Sequence, residues 1–248
     1  MVFSGIVVAT MFTWWTPVDF LPAESVEQLS VAQATQASAA VAAPPIATLE
    51  QIAEPVTPTA PPPPPSLNNI GIVSGHRGIY PPSGLPDPGA VCPDGLTERE
   101  VNEAVATRVG DLLVGRGYAV DLLDEFDERL TGYQALALVS IHADTCEFVN
   151  ELATGYKVAS FSASRTPEAD ERLVRCLSQN YEDTTGLSFH PSITFDMTQY
   201  HNFREVNPST PAAIIEIGFM YLDRELLTEQ PDTIALGITR GILCFLDG

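Results

Sequence analysis

Four residues of this chain have the types that hydrolytic metal chemistry needs: His76, Glu98, His142 and Glu216. Two histidines and a carboxylate form the donor set of a catalytic zinc site, which keeps a fourth position open for water. A second carboxylate beside that water can act as general base and then as proton donor. The local sequence favours this use. His76 follows the apolar run Ile70-Gly71-Ile72-Val73, and Gly75 and Gly78 let the backbone turn there. His142 closes a second apolar run, Leu138-Val139-Ser140-Ile141. Glu216 lies inside a third, Ala213–Phe219, where an unpaired buried carboxylate is costly and so calls for a partner or a function.

The elements that must position these residues follow from hydrophobic period. Strand patterns cover Ile70–Val73, Tyr118–Leu122, Ala135–Ile141, Gly155–Phe161 and Ala212–Ile217. Helical patterns cover Glu98–Val114, Glu125–Gly132, Pro167–Tyr181 and Asp232–Leu246. Strands alternating with helices of this length predict an α/β fold, a mostly parallel sheet with helices on both faces. Such sheets bind ligands at the carboxyl ends of their strands, so convergence of the four residues at one edge is expected. Thr97-Glu98-Arg99-Glu100 reads as a capping box, with Thr97 as N-cap and Glu100 folding back onto it. Glu98 is then free to point outwards.

Composition sets the context. The chain has 248 residues and a net charge of −20, which argues against a nucleic-acid surface. Only five acidic residues precede Arg77, the first basic one, so the acidity belongs to the later part of the chain. Val2 to Val18 is uncharged, ends near Trp14 and Trp15, and approaches the ~17 residues of the shortest membrane spans. An N-terminal membrane anchor or a signal segment is expected over residues 1–22. Residues 23–67, rich in Ala and Pro and ending in Pro61–Pro65, read as a disordered linker, and residues 68–248 as the folded domain. Either reading of the N-terminus puts the domain outside the cytoplasm, membrane-anchored or secreted. The four cysteines, Cys92, Cys146, Cys176 and Cys244, form no zinc-finger pattern. Disulfides and buried thiols both fit them; Cys92 and Cys146 are expected to approach, and Cys176 and Cys244 to lie in helices that pack together. His190 and His201 read as ordinary surface or capping residues, and Asp121, Asp124 and Asp127 as a solvated face.

The order Gly75-His76-Arg77-Gly78, Asp87-Pro88-Gly89-Ala90, Glu98, Ser140-Ile141-His142-Ala143 and Pro211–Phe219 resembles the zinc-dependent N-acetylmuramoyl-L-alanine amidases, the type-3 amidase domain of cell-wall hydrolases. The resemblance covers the whole domain. It implies a mixed sheet of about six strands, one zinc ion per chain, and peptidoglycan as substrate, cut between N-acetylmuramic acid and L-alanine. Carried over by position, His76, Glu98 and His142 look like the metal ligands, Glu216 like the catalytic glutamate, and Arg204 like a substrate-side arginine. Arg77 and Asp144 depart from the family pattern; Asp144 is expected to touch the shell around His142, and Arg77 to narrow the cleft or meet a substrate carboxylate. A monomer is expected. The alternatives are another zinc peptidase, or a wall-binding or regulatory module that keeps the fold without turnover. The gaps from His142 to Gly155 and from Phe161 to Pro167 are too short for a blocking helix of ~10–14 residues with its connections, so an open cleft is expected.

Overall fold

A computed structural model describes residues 68–248. The anchor and linker expected over 1–67 lie outside the described residues. In chain order the elements are β1 (Asn69–Ser74), β2 (Ile79–Tyr80), β3 (Leu85–Pro86), α1 (Glu98–Val114), β4 (Ala119–Asp124), β5 (Ala137–Asp144), β6 (Lys157–Ala159), α2 (Pro167–Thr185), α3 (Phe195–Thr198), α4 (Asn202–Glu205), β7 (Ala212–Phe219), α5 (Arg224–Glu229) and α6 (Pro231–Asp247). Five strands form one sheet in the order β4-β1-β5-β7-β6. All neighbours are parallel except β6, which runs antiparallel to β7. The sheet is thus one strand smaller than expected. β2 and β3 pair only with each other, in a separate ribbon.

Side chains alternate along a strand, so each strand feeds two cores. Ile70, Ile72, Val139, Ile141, Ala213, Ile215 and Ile217 join the apolar faces of α1, α2 and α6 in one buried cluster. Val73, Leu138 and Ile214 join Met197, Tyr200 and Phe203 in the other. Helices cover both faces, but unequally: the three long helices share one face, and the short α3 and α4 lie over the other. His142 and Glu216 stand at even spacing from Leu138 and Ile214, which puts both on the face of the short helices. They are register partners on the adjacent parallel strands β5 and β7.

Local chemistry accounts for the elements that hold the site. α1 begins at Glu98 because Thr97 accepts from the Glu100 amide at 3.2 Å while Glu100 accepts from the Thr97 amide at 2.9 Å. α2 and α6 approach closely at Gly241, where a Cβ would sit 2.7 Å from the Cα of Leu177. The disulfide Cys176–Cys244 joins the same two helices, and Cys92–Cys146 ties the loop before α1 to the chain just after β5.

The helix expected over Glu125–Gly132 does not form; one 3₁₀ turn, Glu128–Leu130, stands there. Asp127 caps that turn through the Arg129 amide, Gly132 is left-handed, and Glu125 is drawn into the site. The acidic run is not simply solvated either. Asp121 accepts from Asn69 and Tyr133, Asp124 pairs with Arg77, and Asp127 pairs with Arg129. No helix among the described residues is long and apolar enough to cross a membrane.

Candidate metal centre

His76, Glu98 and His142 meet at the carboxyl edge of the sheet. Each offers a ligand atom within 4.8 Å of the other two. Glu98 stands between the imidazoles: Oε2 lies 3.2 Å from His76 Nε2, and Oε1 lies 3.2 Å from His142 Nδ1. The rings meet edge to face with centroids 5.1 Å apart. Glu98 is 5% exposed and does not point outwards to solvent. The Ala90 and Ala143 amides and Asn102 Nδ2 also donate to its oxygens.

Glycines make this assembly fit. A Cβ on Gly75 would fall within 2.6 Å of three ring atoms of His142. A Cβ on Gly89 would fall 2.6 Å from Glu98 Oε2 and 2.7 Å from His76 Cδ2. The glycine-flanked motifs are therefore the walls of the cluster.

The electrostatics favour positive charge. Burial alone would lower His76, but the hydrogen bond and charge of Glu98, with Glu125 and Asp87, push it up to about 10. Burial raises Glu98, yet hydrogen bonds from His142 and His76 and their charges hold it well below the usual carboxylate range. Asp87 Oδ2 lies 2.9 Å from His76 Nδ1, the ring nitrogen turned away from Glu98. The Tyr200 hydroxyl lies 3.1 Å from His142 Nε2, likewise the outer nitrogen. Carboxylate and hydroxyl partners of this kind fix the orientation of metal-binding imidazoles.

Glu216 lines a cavity of about 290 Å³ beside His142, shared with Asp144, Lys157, Thr194, Asp196, Met197, Tyr200 and Ile214. Its Oε2 is buried and has no hydrogen-bond partner among the described residues. Burial, reinforced by Glu98 and Asp144 and opposed by His142 and Lys157, pushes its carboxyl up to about 7. Lys157, the chain's one lysine, is 5% exposed, pairs with Asp144, and faces Glu216 in register across β6 and β7.

The family model for N-acetylmuramoyl-L-alanine amidases matches residues 70–244, which spans every residue of this cluster. The chain belongs to that family. It is an amidase of peptidoglycan. No curated protein sequence matches it. Solved structures similar to it include the amidase AmiC2 of Nostoc punctiforme, 23% identical with a TM-score of 0.55, over 73% of this chain and 97% of that one. The amidase Ami1 of Mycobacterium smegmatis is 20% identical with a TM-score of 0.57, over 72% and 96%. The CwlD amidase of Clostridioides difficile, solved in complex with the GerS lipoprotein, is 21% identical with a TM-score of 0.55, over 73% and 98%. At these identities the likeness is one of fold.

Among the residues singled out from sequence, the structure of this amidase gathers His76, Glu98, His142 and Glu216 but leaves Arg204 elsewhere. Arg204 donates to Gln199 Oε1 at 2.6 Å and lines a separate cavity of about 210 Å³ with Phe161, Asp170 and Ala212. Ala212 opens β7, roughly 13 Å along the strand from Glu216. Arg77 is bound to Asp124 and to the Leu122 carbonyl, not turned toward the cluster. Asp144 does not touch His142; it pairs with Lys157. His201 is the N-cap residue of α4, as the capping alternative has it, but its ring does more: it stacks on Phe126 at 4.5 Å and lies 3.4 Å from Glu125.

The sequence reading passes over Asp87, Glu125 and Tyr200. Asp87 stands in a motif already singled out, Glu125 ends the approach from β4, and Tyr200 carries no local signal because its partners are distant in the chain. A short helix does border the site, from a stretch outside both the His142–Gly155 and Phe161–Pro167 gaps. α3 supplies Asp196 and Met197 to the cavity wall. Tyr200, just beyond it, meets His142 on the outer nitrogen and leaves Nδ1 facing Glu98.

Proposed function

We propose that this amidase hydrolyses the amide between the lactyl group of N-acetylmuramic acid and L-alanine of the stem peptide, with zinc held by His76, Glu98 and His142. The donor set is that of a catalytic zinc site, and the converging carboxylates favour a divalent cation. Zinc bound there supplies Lewis-acid polarisation of the scissile carbonyl and a nucleophile at neutral pH.

The observation that carries the reading is Glu216 Oε2, a buried carboxylate oxygen with no partner among the described residues, on the strand beside His142. Its raised pKa, about 7, suits a group that must take a proton and give it back near neutrality. Glu216 takes one proton from the attacking water as oxygen bonds to the lactyl carbon. It returns that proton to the alanine nitrogen as the C–N bond breaks, leaving a lactyl carboxylic acid and a free amine; the acid's remaining proton then passes to the amine, giving carboxylate and ammonium. Tyr200 and Asp87 hold the outer nitrogens of the two imidazoles while this happens.

Action outside the cytoplasm fits two disulfides among the described residues. An anchor or signal over residues 1–22, a linker over 23–67, and action as a monomer complete the proposal. The test is product analysis of purified peptidoglycan. The expected products are peptides with a new N-terminal alanine and glycan strands that keep intact lactyl groups. Cleavage within the stem peptide would make this a zinc peptidase instead, and no release at all would leave a wall-binding module.

A further inference from the structure

Glu125 is a buried carboxylate that neither the proposed ligand set nor the proton carrier uses. It follows β4 directly and is 5% exposed. Its two oxygens reach the two candidate ligands separately, and Oε1 also lies 3.4 Å from His201 Nε2. Oε2 accepts the backbone N–H of His76 at 2.6 Å. His76 has φ 59, the one non-glycine residue in the left-handed region among the described residues. That conformation costs an L residue about 1–2 kcal/mol and persists only when its surroundings hold it.

Oε1 accepts the Tyr200 hydroxyl at 3.2 Å, and the same hydroxyl lies 3.1 Å from His142 Nε2. An ionised carboxylate only accepts hydrogen bonds, so the Tyr200 proton points to Glu125. The hydroxyl oxygen is then left to accept from Asn202 Nδ2, at 3.2 Å, and from His142 Nε2–H. A proton on Nε2 leaves the Nδ1 lone pair facing Glu98, the tautomer in which an imidazole binds a metal through Nδ1.

We infer that Glu125 is the positioning residue of both histidines, bracing His76 through its backbone amide and setting the orientation and tautomer of His142 through Tyr200. The inference rests on the reading of His76, Glu98 and His142 as metal ligands. The aromatic body of Tyr200 also packs with Met197 and Phe203, so the hydroxyl must be removed without the ring.

The test uses the full chain, with Tyr200→Phe, Glu125→Gln and the double variant. Zn²⁺ affinity is read at fixed pH by competition with a chromophoric chelator, and the visible absorption of the Co²⁺ form reports ligand geometry. Tyr200→Phe is expected to weaken Zn²⁺ binding about 10- to 100-fold and to alter the Co²⁺ spectrum. Glu125→Gln is expected to lose about as much, because an amide keeps one acceptor oxygen and cannot accept from both His76 and Tyr200 as the carboxylate does. The double variant is expected to lose no more than Glu125→Gln, since Tyr200 acts through Glu125. Zn²⁺ affinity within twofold of wild type and an unchanged Co²⁺ spectrum in both single variants would overturn the inference, whatever the melting temperature does. Losses that multiply in the double variant would overturn the route through Tyr200. A wild-type chain that binds no zinc, or a His142→Ala chain that binds it as tightly as wild type, would instead overturn the ligand assignment beneath.

Discussion

The substitution Gly75→Ala adds one carbon to the face of the His142 ring. That carbon would sit 2.4 Å from Cε1, 2.5 Å from Nδ1 and 2.6 Å from Nε2. Ordinary van der Waals contact between side-chain carbons begins near ~3.5 Å, so the ring must withdraw by about 1 Å or β1 must part from β5. Neither is free. The ring is held at 3.2 Å by Glu98 and at 3.1 Å by Tyr200, and the Gly75 amide donates to the Ile141 carbonyl at 2.9 Å. A shift of about 1 Å takes those side-chain contacts beyond hydrogen-bond length. Overpacking of this kind costs about 1–3 kcal/mol in the metal-free protein. Displacing a metal-binding imidazole from its outer partners weakens the metal about 10- to 100-fold. Denaturant unfolding in the presence of chelator reads the first quantity, and chelator competition the second. A Gly75→Ala protein that binds zinc within twofold of wild type would refute the claim that this glycine walls the metal centre.

Two members of one ion pair should move the pH profile in opposite directions. If Glu216 is the base, as proposed, kcat/KM should fall as pH drops through its pKa; Lys157→Met should move that acidic limb to higher pH and Asp144→Asn to lower pH, because Lys157 lowers and Asp144 raises the Glu216 carboxyl. Parallel shifts would break the link to Glu216. Gly110 and Gly241 should behave oppositely when changed to alanine. At Gly110 in α1 a Cβ meets only Val120 at 3.7 Å, so unfolding should become harder by about 0.5–1 kcal/mol. At Gly241 it meets the backbone of α2 at 2.7 Å, so a loss of about 1–3 kcal/mol is expected by the same measurement. Replacing Cys92 and Cys146 with serine should lower unfolding stability by about 2–4 kcal/mol, and a change under about 0.5 kcal/mol would mean the bridge closes no loop that matters.

The parts of this fold legible in sequence are those set by local pattern. α1 begins and ends where its capping box and apolar period place it, and α2, α6 and the four parallel strands follow within a few residues. The four chemistry-bearing residues were legible because three of them interrupt or end apolar runs, where polar side chains need a reason. What was not legible depends on contacts between distant segments. Glu125 looks like the start of a helix until His76 and Tyr200, 49 and 75 positions away, draw on its oxygens. The short helices α3 and α4 have no periodic signature, yet their stretch covers one face of the sheet and supplies Tyr200. The sixth strand that the family resemblance implies is not found in the sheet among the described residues; β2 and β3 are short and pair with each other. Arg204 rests on the family resemblance alone, and in the structure it donates to Gln199.

The proposed mechanism gives Glu216 the proton to carry. Glu216→Gln keeps the size of the side chain and removes the ability to exchange a proton, so zinc content should stay at one per chain. The decisive measurement is the turnover rate of this zinc-loaded variant on purified peptidoglycan. A fall of about 10²- to 10⁴-fold against wild type is expected. A zinc-loaded Glu216→Gln chain that releases stem peptides at near the wild-type rate would contradict it.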